Sequence, residues 1–163
     1  MNQKMFDKNK ADFGFLPDDQ LMALCLLAEA GGEPYEGRVA VGTVILERVD
    51  HQKWSGNTIQ EVILWPFQFS WTLPSDPERV RMAAIAKNFD GFIQKQTPDA
   101  QALGECVDIA QGLISGTIPR DPDLAASKCC QYLNPSTAEA TKEKWLASGM
   151  KLIKTIKHHQ FFA

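Results

Sequence analysis

Glu29 closes an apolar run, LMALCLLAEA over Leu21 to Ala30, directly before Gly31, Gly32, Glu33 and Pro34. The end of a helix presents partial negative charge, and Leu26, Leu27 and Ala28 can withhold water from the carboxyl. Both effects disfavour the carboxylate and raise its pKa. A carboxyl that stays protonated near neutral pH can act as a general acid toward a poor oxygen leaving group. Other polar groups invite weighing beside it. Glu33 and Glu36 stand where a second helix should begin, so their expected work is to complement its positive end. Glu33 is also the candidate for a second catalytic carboxylate that positions water. Gln68 and Ser70 alternate with Phe67, Phe69 and Trp71. An amide and a hydroxyl could then face a sugar while flat rings lie beside it, with Phe69 and Trp71 expected in the core. Tyr35 either packs the turn after Glu29 or hydrogen-bonds substrate. His158 and His159, adjacent on an extended tail, should point to opposite faces and serve structure or surface. Glu47 and Arg48 are expected on a solvated face.

The elements that must position these residues are mostly helical. A first helix should begin after Leu16, with Leu21, Leu24, Cys25 and Ala28 at helical spacing, and the two glycines should let the chain turn. A second should open at Glu33 and Pro34 and run through VAVGTVILERV, apolar on most sides and therefore central. Gly42 inside it costs about 1 kcal/mol relative to Ala, which suggests that another backbone approaches there. His51 to Asn57 reads as a loop. Thr58 and Glu61 form a capping box for a short helix to about Leu64. The alternating aromatics of WPFQFSWTLP, Trp65 to Pro74, predict an extended strand. Helices are expected at Pro77 to about Lys87 and at Pro98 to about Ser115, stopped by Gly116. Loop or short extended chain should follow from Thr117 to Asn134, then a short helix near Lys142 to Ala147 and a β-branched end.

At 163 residues the chain predicts one domain: an arm over 1–16, packed down by Phe13, Phe15 and Leu16, and a body over 17–163. A formal charge of −3 offers no general affinity for nucleic acid or an anionic membrane. No segment reaches the length of a membrane span or a signal-peptide core, so a soluble protein without membrane insertion is expected. Cys25, Cys106, Cys129 and Cys130 show no CxxC spacing. They are expected to be buried thiols rather than disulfides or zinc ligands, and no metal or other cofactor is expected.

The stretch AEAGGEPYEGRVAVGTVILERV, followed by PFQFSW at Pro66 to Trp71, resembles the SleB-like cell-wall hydrolase family. That family comprises the catalytic domains of spore cortex-lytic enzymes and also occurs in phage endolysins. Tyr132-Leu133-Asn134-Pro135 is similar to its aromatic-x-Asn-Pro element, and His159-Gln160-Phe161-Phe162 to its terminal H-x-F-aromatic element. The resemblance implies an α+β, mainly helical, lysozyme-like fold of the lytic transglycosylase and goose-lysozyme kind, with a small β element. It also implies cleavage of the MurNAc–GlcNAc bond in peptidoglycan glycan strands, with Glu29 in the catalytic position and Gln68, Ser70, Tyr132 and Asn134 as substrate contacts. Where the family commonly has Thr-His before the aromatic, this chain has Cys130 and Gln131, so no role for that histidine carries over.

Glycosidases usually use two carboxyls. With Glu29 alone, the muramic acid C6 hydroxyl can attack the anomeric carbon, Glu29 acting first as acid and then as base, which is lytic transglycosylation. A muramidase using water and a non-catalytic peptidoglycan-binding module are the alternatives; an amidase would need a zinc ligand set that the spacing does not offer. A monomer is expected, and the missing signal peptide fits a phage endolysin held in the host cytoplasm until release.

Overall fold

The computed structural model describes residues 1–52 and 56–163, and its helices start at chemistry visible in the chain. The leading segment is itself a helix, α1 (Asn2–Phe13), which buries Phe6, Asn9 and Phe13. Leu16 is also buried, whereas Phe15, expected to help pack this segment down, is 60% exposed. α2 (Asp18–Ala30) follows Pro17, and Asp18 and Asp19 complement its positive end. Every residue from Leu21 to Leu27 is buried, and so is Ala30. Each fully buried leucine here contributes about 1.5–3 kcal/mol of burial.

α3 (Tyr35–Asp50) begins after Pro34 and is buried from Val39 through Arg48. The neighbour at Gly42 is a side chain rather than the expected backbone: a Cβ would lie 2.4 Å from Cδ1 of Leu113. Glu47 and Arg48 are 3% and 7% exposed, which corrects the solvated face expected for them. From Val39 onward α3 has the core on nearly all sides, so Glu47 and Arg48 lie inside and only its end, at Asp50, reaches solvent. The expected loop from His51 to Asn57 lies in part outside the described residues, at 53–55.

α4 (Ile59–Leu64) is capped by Thr58, whose hydroxyl accepts from the Glu61 N–H, while the Glu61 carboxylate accepts from the N–H of Asn57. α5 (Pro77–Lys87) is capped by Asp76, and a short α6 (Phe89–Ile93), not anticipated from the sequence, follows. α7 (Pro98–Ser115) is capped by Thr97 and stopped by Gly116, whose φ of 81° is the left-handed region that glycine adopts without strain. α8 (Pro122–Ala126) is capped by Asp121, within the stretch expected to be loop. α2 lies at the centre, packed on α3, α4, α5 and α7. No helix among the described residues is long and apolar enough to cross a membrane.

The expected strand at Trp65 to Pro74 is a turn followed by a single 3-10 turn, Ser70–Thr72. Among the described residues no strand pairs with this segment. Burial does not follow the alternation: Phe69 and Trp71 are buried while Phe67, in the same phase and at φ 66°, is exposed. α1 supplies what the tryptophans pack on, since Phe13 meets Trp71 edge-on at 5.1 Å and Phe6 lies 5.1 Å from Trp65. Arg79 of α5 completes the anchor. Its guanidinium donates to Oδ1 of Asn9 (2.7 Å), to Oδ2 of Asp12 (2.5 Å) and to the Thr72 carbonyl, and Asn9 donates to the Leu64 carbonyl at 2.8 Å.

The β element lies at the end of the chain. β1 (Gln131–Leu133), β2 (Leu152–Ile156) and β3 (His159–Phe162) form an antiparallel sheet in the order β1-β3-β2. Tyr132 stands opposite Phe161, and Lys157 and His158 make the turn of the β2–β3 hairpin. α9 (Pro135–Ala147) starts seven residues ahead of the expected helix, bends at Ala138 and buries none of its residues. Trp145 on it packs edge-on against Phe162 at 5.5 Å.

Candidate active site

Glu29 lies in the last turn of α2, partly buried, at the edge of a cavity of about 410 Å³ lined also by Leu27, Gly31, Gly32, Glu78, Arg81 and Asp99. The glycines after it have negative φ, so the turn needs no left-handed residue; a Cβ on Gly31 would instead meet the Leu27 carbonyl oxygen at 2.5 Å. Arg38 of α3 covers the exposed end of α2, donating to the carbonyls of Ala30 (3.4 Å) and Gly31 (3.0 Å), and Lys157 donates to that of Gly32 at 2.6 Å. These cations offset the negative end of the helix dipole. Burial remains the main cause that raises the Glu29 pKa; the Tyr132 hydrogen bond and the Arg48 charge oppose it, and Asp76 adds to the rise.

The sheet brings the second group. The Tyr132 hydroxyl donates to Oε2 of Glu29 at 2.6 Å, across 103 residues of sequence. Its ring is held between neighbours on β3, with His159 at 5.0 Å and Phe161 at 5.6 Å. Burial, and then the Glu29 charge, push the phenol pKa well above its ordinary value, so Tyr132 stays a donor. His159 is 7% exposed, and burial depresses its pKa, which leaves a neutral ring against Tyr132.

Asp76, which acts on Glu29 through its charge, caps α5 with Oδ1, and the other carboxylates nearby have basic partners. Arg81 bridges the cavity, pairing with Glu78 at 2.9 Å and Asp99 at 2.8 Å. Glu33 is 7% exposed and its Oε1 lies 2.8 Å from Nδ1 of His158, which tethers the β2–β3 turn to the start of α3. Glu36 sits in the first turn of α3. The two histidines do diverge: His158 is at the surface on Glu33, His159 inside on Tyr132.

The remaining expected contacts have other partners or line other surfaces. Asn134 caps α9, its Oδ1 accepting from the N–H of Ser136 at 3.0 Å and from the Ser136 hydroxyl at 2.7 Å. Tyr35 is 54% exposed and lines a different cavity, of about 220 Å³, with Ile118, Pro119 and Arg120. Gln68 is half-buried and Ser70 exposed, and neither lines the Glu29 cavity. Between them, the buried Phe69 ring lies 5.0 Å from the Arg48 guanidinium. The four cysteines are buried free thiols. Burial pushes Cys106 and Cys129 up to about 11, which makes them unreactive. Sequence reasoning missed Arg48, Arg81 and the His159–Tyr132 stack. No local signal marks the first, because the same helix also carries charged residues that stay at the surface, Glu36 and Asp50.

Comparison with known proteins shows what the chain is similar to. A family model described as cell wall hydrolase matches residues 32–162, starting three residues beyond Glu29. The spore cortex-lytic enzyme of Halalkalibacterium halodurans is 33% identical over 141 residues, which is 86% of this chain and 33% of that protein. The chain thus spans about a third of the length of that relative. The catalytic domain of the germination-specific lytic transglycosylase SleB from Bacillus anthracis superposes with a TM-score of 0.51 at 26% identity, covering 92% of this chain and 98% of that one. The catalytic domain of the Bacillus cereus SleB protein gives a TM-score of 0.51 at 30% identity, covering 90% and 89%. The expected mainly helical, lysozyme-like α+β fold is the one observed.

Proposed function

The chain belongs to the cell wall hydrolase family, and from that premise we propose that it cleaves the MurNAc–GlcNAc β-1,4 bond of peptidoglycan as a lytic transglycosylase, with Glu29 as the single catalytic acid and base. The observation that carries this reading is the Glu29–Tyr132 pair: a carboxyl biased toward its protonated form by burial, with one oxygen already receiving a hydrogen bond. Because Oε2 accepts from Tyr132, the acidic proton belongs on Oε1. Glu29 delivers it to the glycosidic oxygen as the bond breaks. The carboxylate that results is stabilised by the Tyr132 hydroxyl and by the Arg48 charge. It then takes the proton of the muramic acid C6 hydroxyl as that oxygen bonds to the anomeric carbon, which closes the 1,6-anhydro ring and returns Glu29 to its starting state.

The state of the neighbouring carboxylates supports a single-glutamate route over hydrolysis. A hydrolytic inverting enzyme needs a second carboxylate to activate water; Glu33, Glu78 and Asp99 are each engaged with a basic partner, and Asp76, whose charge reaches Glu29, is occupied as the cap of α5. The test is mass analysis of muropeptides released by the wild type and by Glu29→Gln. Anhydro ends from the wild type and none from the variant are expected; reducing ends alone would replace this reading with a muramidase. Binding to peptidoglycan without release of any fragment would replace it with a non-catalytic module.

A further inference from the structure

Arg48 presents a question that the family resemblance does not answer. It sits in the last turn of α3 and is 7% exposed, although a guanidinium is almost never buried without specific partners. Its Nε donates to the Cys130 carbonyl at 2.8 Å, immediately before β1 and two residues ahead of Tyr132. Its guanidinium carbon lies 5.0 Å from the centre of the Phe69 ring, the buried pivot of the Trp65–Thr72 segment. One side chain therefore joins the helical half of the molecule to the sheet that delivers Tyr132. Its neighbour Glu47, by contrast, is directed to Arg120 at 2.8 Å and His51 at 3.1 Å.

We propose that Arg48 is a positioning residue for the reaction at Glu29: it ties the Phe69 turn to the start of β1 and so holds the Tyr132 hydroxyl on the Glu29 carboxyl. This rests on the reading of Glu29 as the acid and base. A residue that serves in both roles works best with a pKa near the operating pH. Burial alone pushes Glu29 upward, and the Arg48 charge draws it back. The other groups facing this centre are Cys25 on α2, Tyr132 on β1, Cys130 before it and Asp76 at the start of α5; Glu78 and Arg81 of α5 and Asp99 of α7 line the cavity. Cys25 and Tyr132 stay protonated because burial raises both. Glu78 and Asp99 are matched by Arg81. Arg48 is thus a fixed positive charge among groups that are neutral or already paired, Asp76 and Glu29 itself excepted.

The experiment compares wild type, Arg48→Met and Arg48→Lys in two measurements: the pH profile of glycan cleavage, and the titration of the Glu29 carboxyl followed by carbon NMR. In Arg48→Met the Glu29 midpoint and the alkaline limb of activity should move up together by about one pH unit, because an opposing charge is gone. Its kcat should fall by roughly 10- to 100-fold, as for a small misplacement of reacting groups, with KM within about threefold. Arg48→Lys keeps the charge and loses the fork, so its limb should stay while kcat falls. If Arg48→Met does not fold, Arg48→Lys still decides: wild-type kcat in that variant overturns the proposal. An unmoved Glu29 midpoint in folded Arg48→Met overturns it as well. Failure of the functional reading looks different, because the wild type would then release reducing ends alone or no glycan fragments at all, while the Glu29 midpoint still moved in Arg48→Met.

Discussion

The two groups of the candidate site are delivered by regions built in opposite ways. Glu29 ends a helix whose side chains are buried for two turns before it, and it stands on a backbone held by Arg38 through the carbonyls of Ala30 and Gly31. Tyr132 sits on a three-residue strand, paired to a hairpin thirty residues later and followed by a helix with no buried residue. The helical region is secured by long runs of buried side chains, the sheet region by fewer of them, chiefly Leu133, Phe161 and Phe162, with α9 outside adding none. The proposed acid therefore stands on the more extensively packed support, and the hydroxyl bonded to it on the smaller one.

The largest effect expected is on the helical side. Glu29→Gln should cut glycan cleavage by about 10²- to 10⁴-fold, the usual worth of a positioned general acid. Its stability should move the other way. The folded pKa of Glu29 is raised, so its favourable contribution is complete below the unfolded value and is lost as pH rises through the folded value. Glutamine mimics the protonated form. Thermal unfolding should therefore show the variant more stable than wild type at neutral pH, with the difference vanishing in acid. A variant less stable than wild type at pH 7 would contradict burial as the dominant influence on this carboxyl.

Next comes the anchor of the helical region. Arg79→Met leaves the Asn9 amide oxygen and the Thr72 carbonyl without this donor, at an expected cost of about 1–3 kcal/mol for each buried group left unpaired, while the part-exposed Asp12 keeps Lys8. Urea unfolding measures this. The loss should exceed that from any substitution in α9, and if it does not, the contrast between a densely tied helical half and a lightly held sheet half is wrong.

On the sheet side, Tyr132→Phe removes one hydrogen bond to a charged acceptor, so the expected change is about tenfold in rate. Because that bond lowers the Glu29 pKa, its loss should also shift the alkaline limb of activity upward. A downward shift would mean that the hydroxyl favours the protonated acid.

These differences explain what could be read from the chain. Pro77, Pro98, Thr58, Thr97 and Gly116 mark helix ends by local chemistry, and the helices fall where those residues place them. Glu29 was legible because an apolar helix ending in a carboxyl is a local pattern. Trp65 to Pro74 misleads because the left-handed backbone at Phe67 and the 3-10 turn that follows break the period that an extended chain would keep, so that Phe67 is exposed while Phe69 and Trp71 are buried. Here Trp65 and Trp71 pack on α1, and no strand runs alongside. The Glu29–Tyr132 contact and the burial of Arg48 depend on pairing across 103 and 82 residues, which no local pattern encodes.

The smallest effect is the most discriminating for the sheet side. Asn134 was expected to contact substrate, and its Oδ1 instead accepts two hydrogen bonds from Ser136 as the cap of α9. Asn134→Ala should cost about 1 kcal/mol, the usual value of a lost cap. α9 buries none of its residues, so the cost should appear as local fraying, read as faster amide exchange at Ser136 to Glu139. Asn134→Asp separates the two roles. The aspartate keeps an acceptor for Ser136 and suits the positive end of the helix, yet it lacks the amide that an N-acetyl group would meet. If capping is the whole of its work, this variant retains both wild-type exchange and wild-type KM. A rise in KM with exchange unchanged would restore Asn134 to the substrate site and would mean that the lightly held region binds glycan as well as tuning the acid.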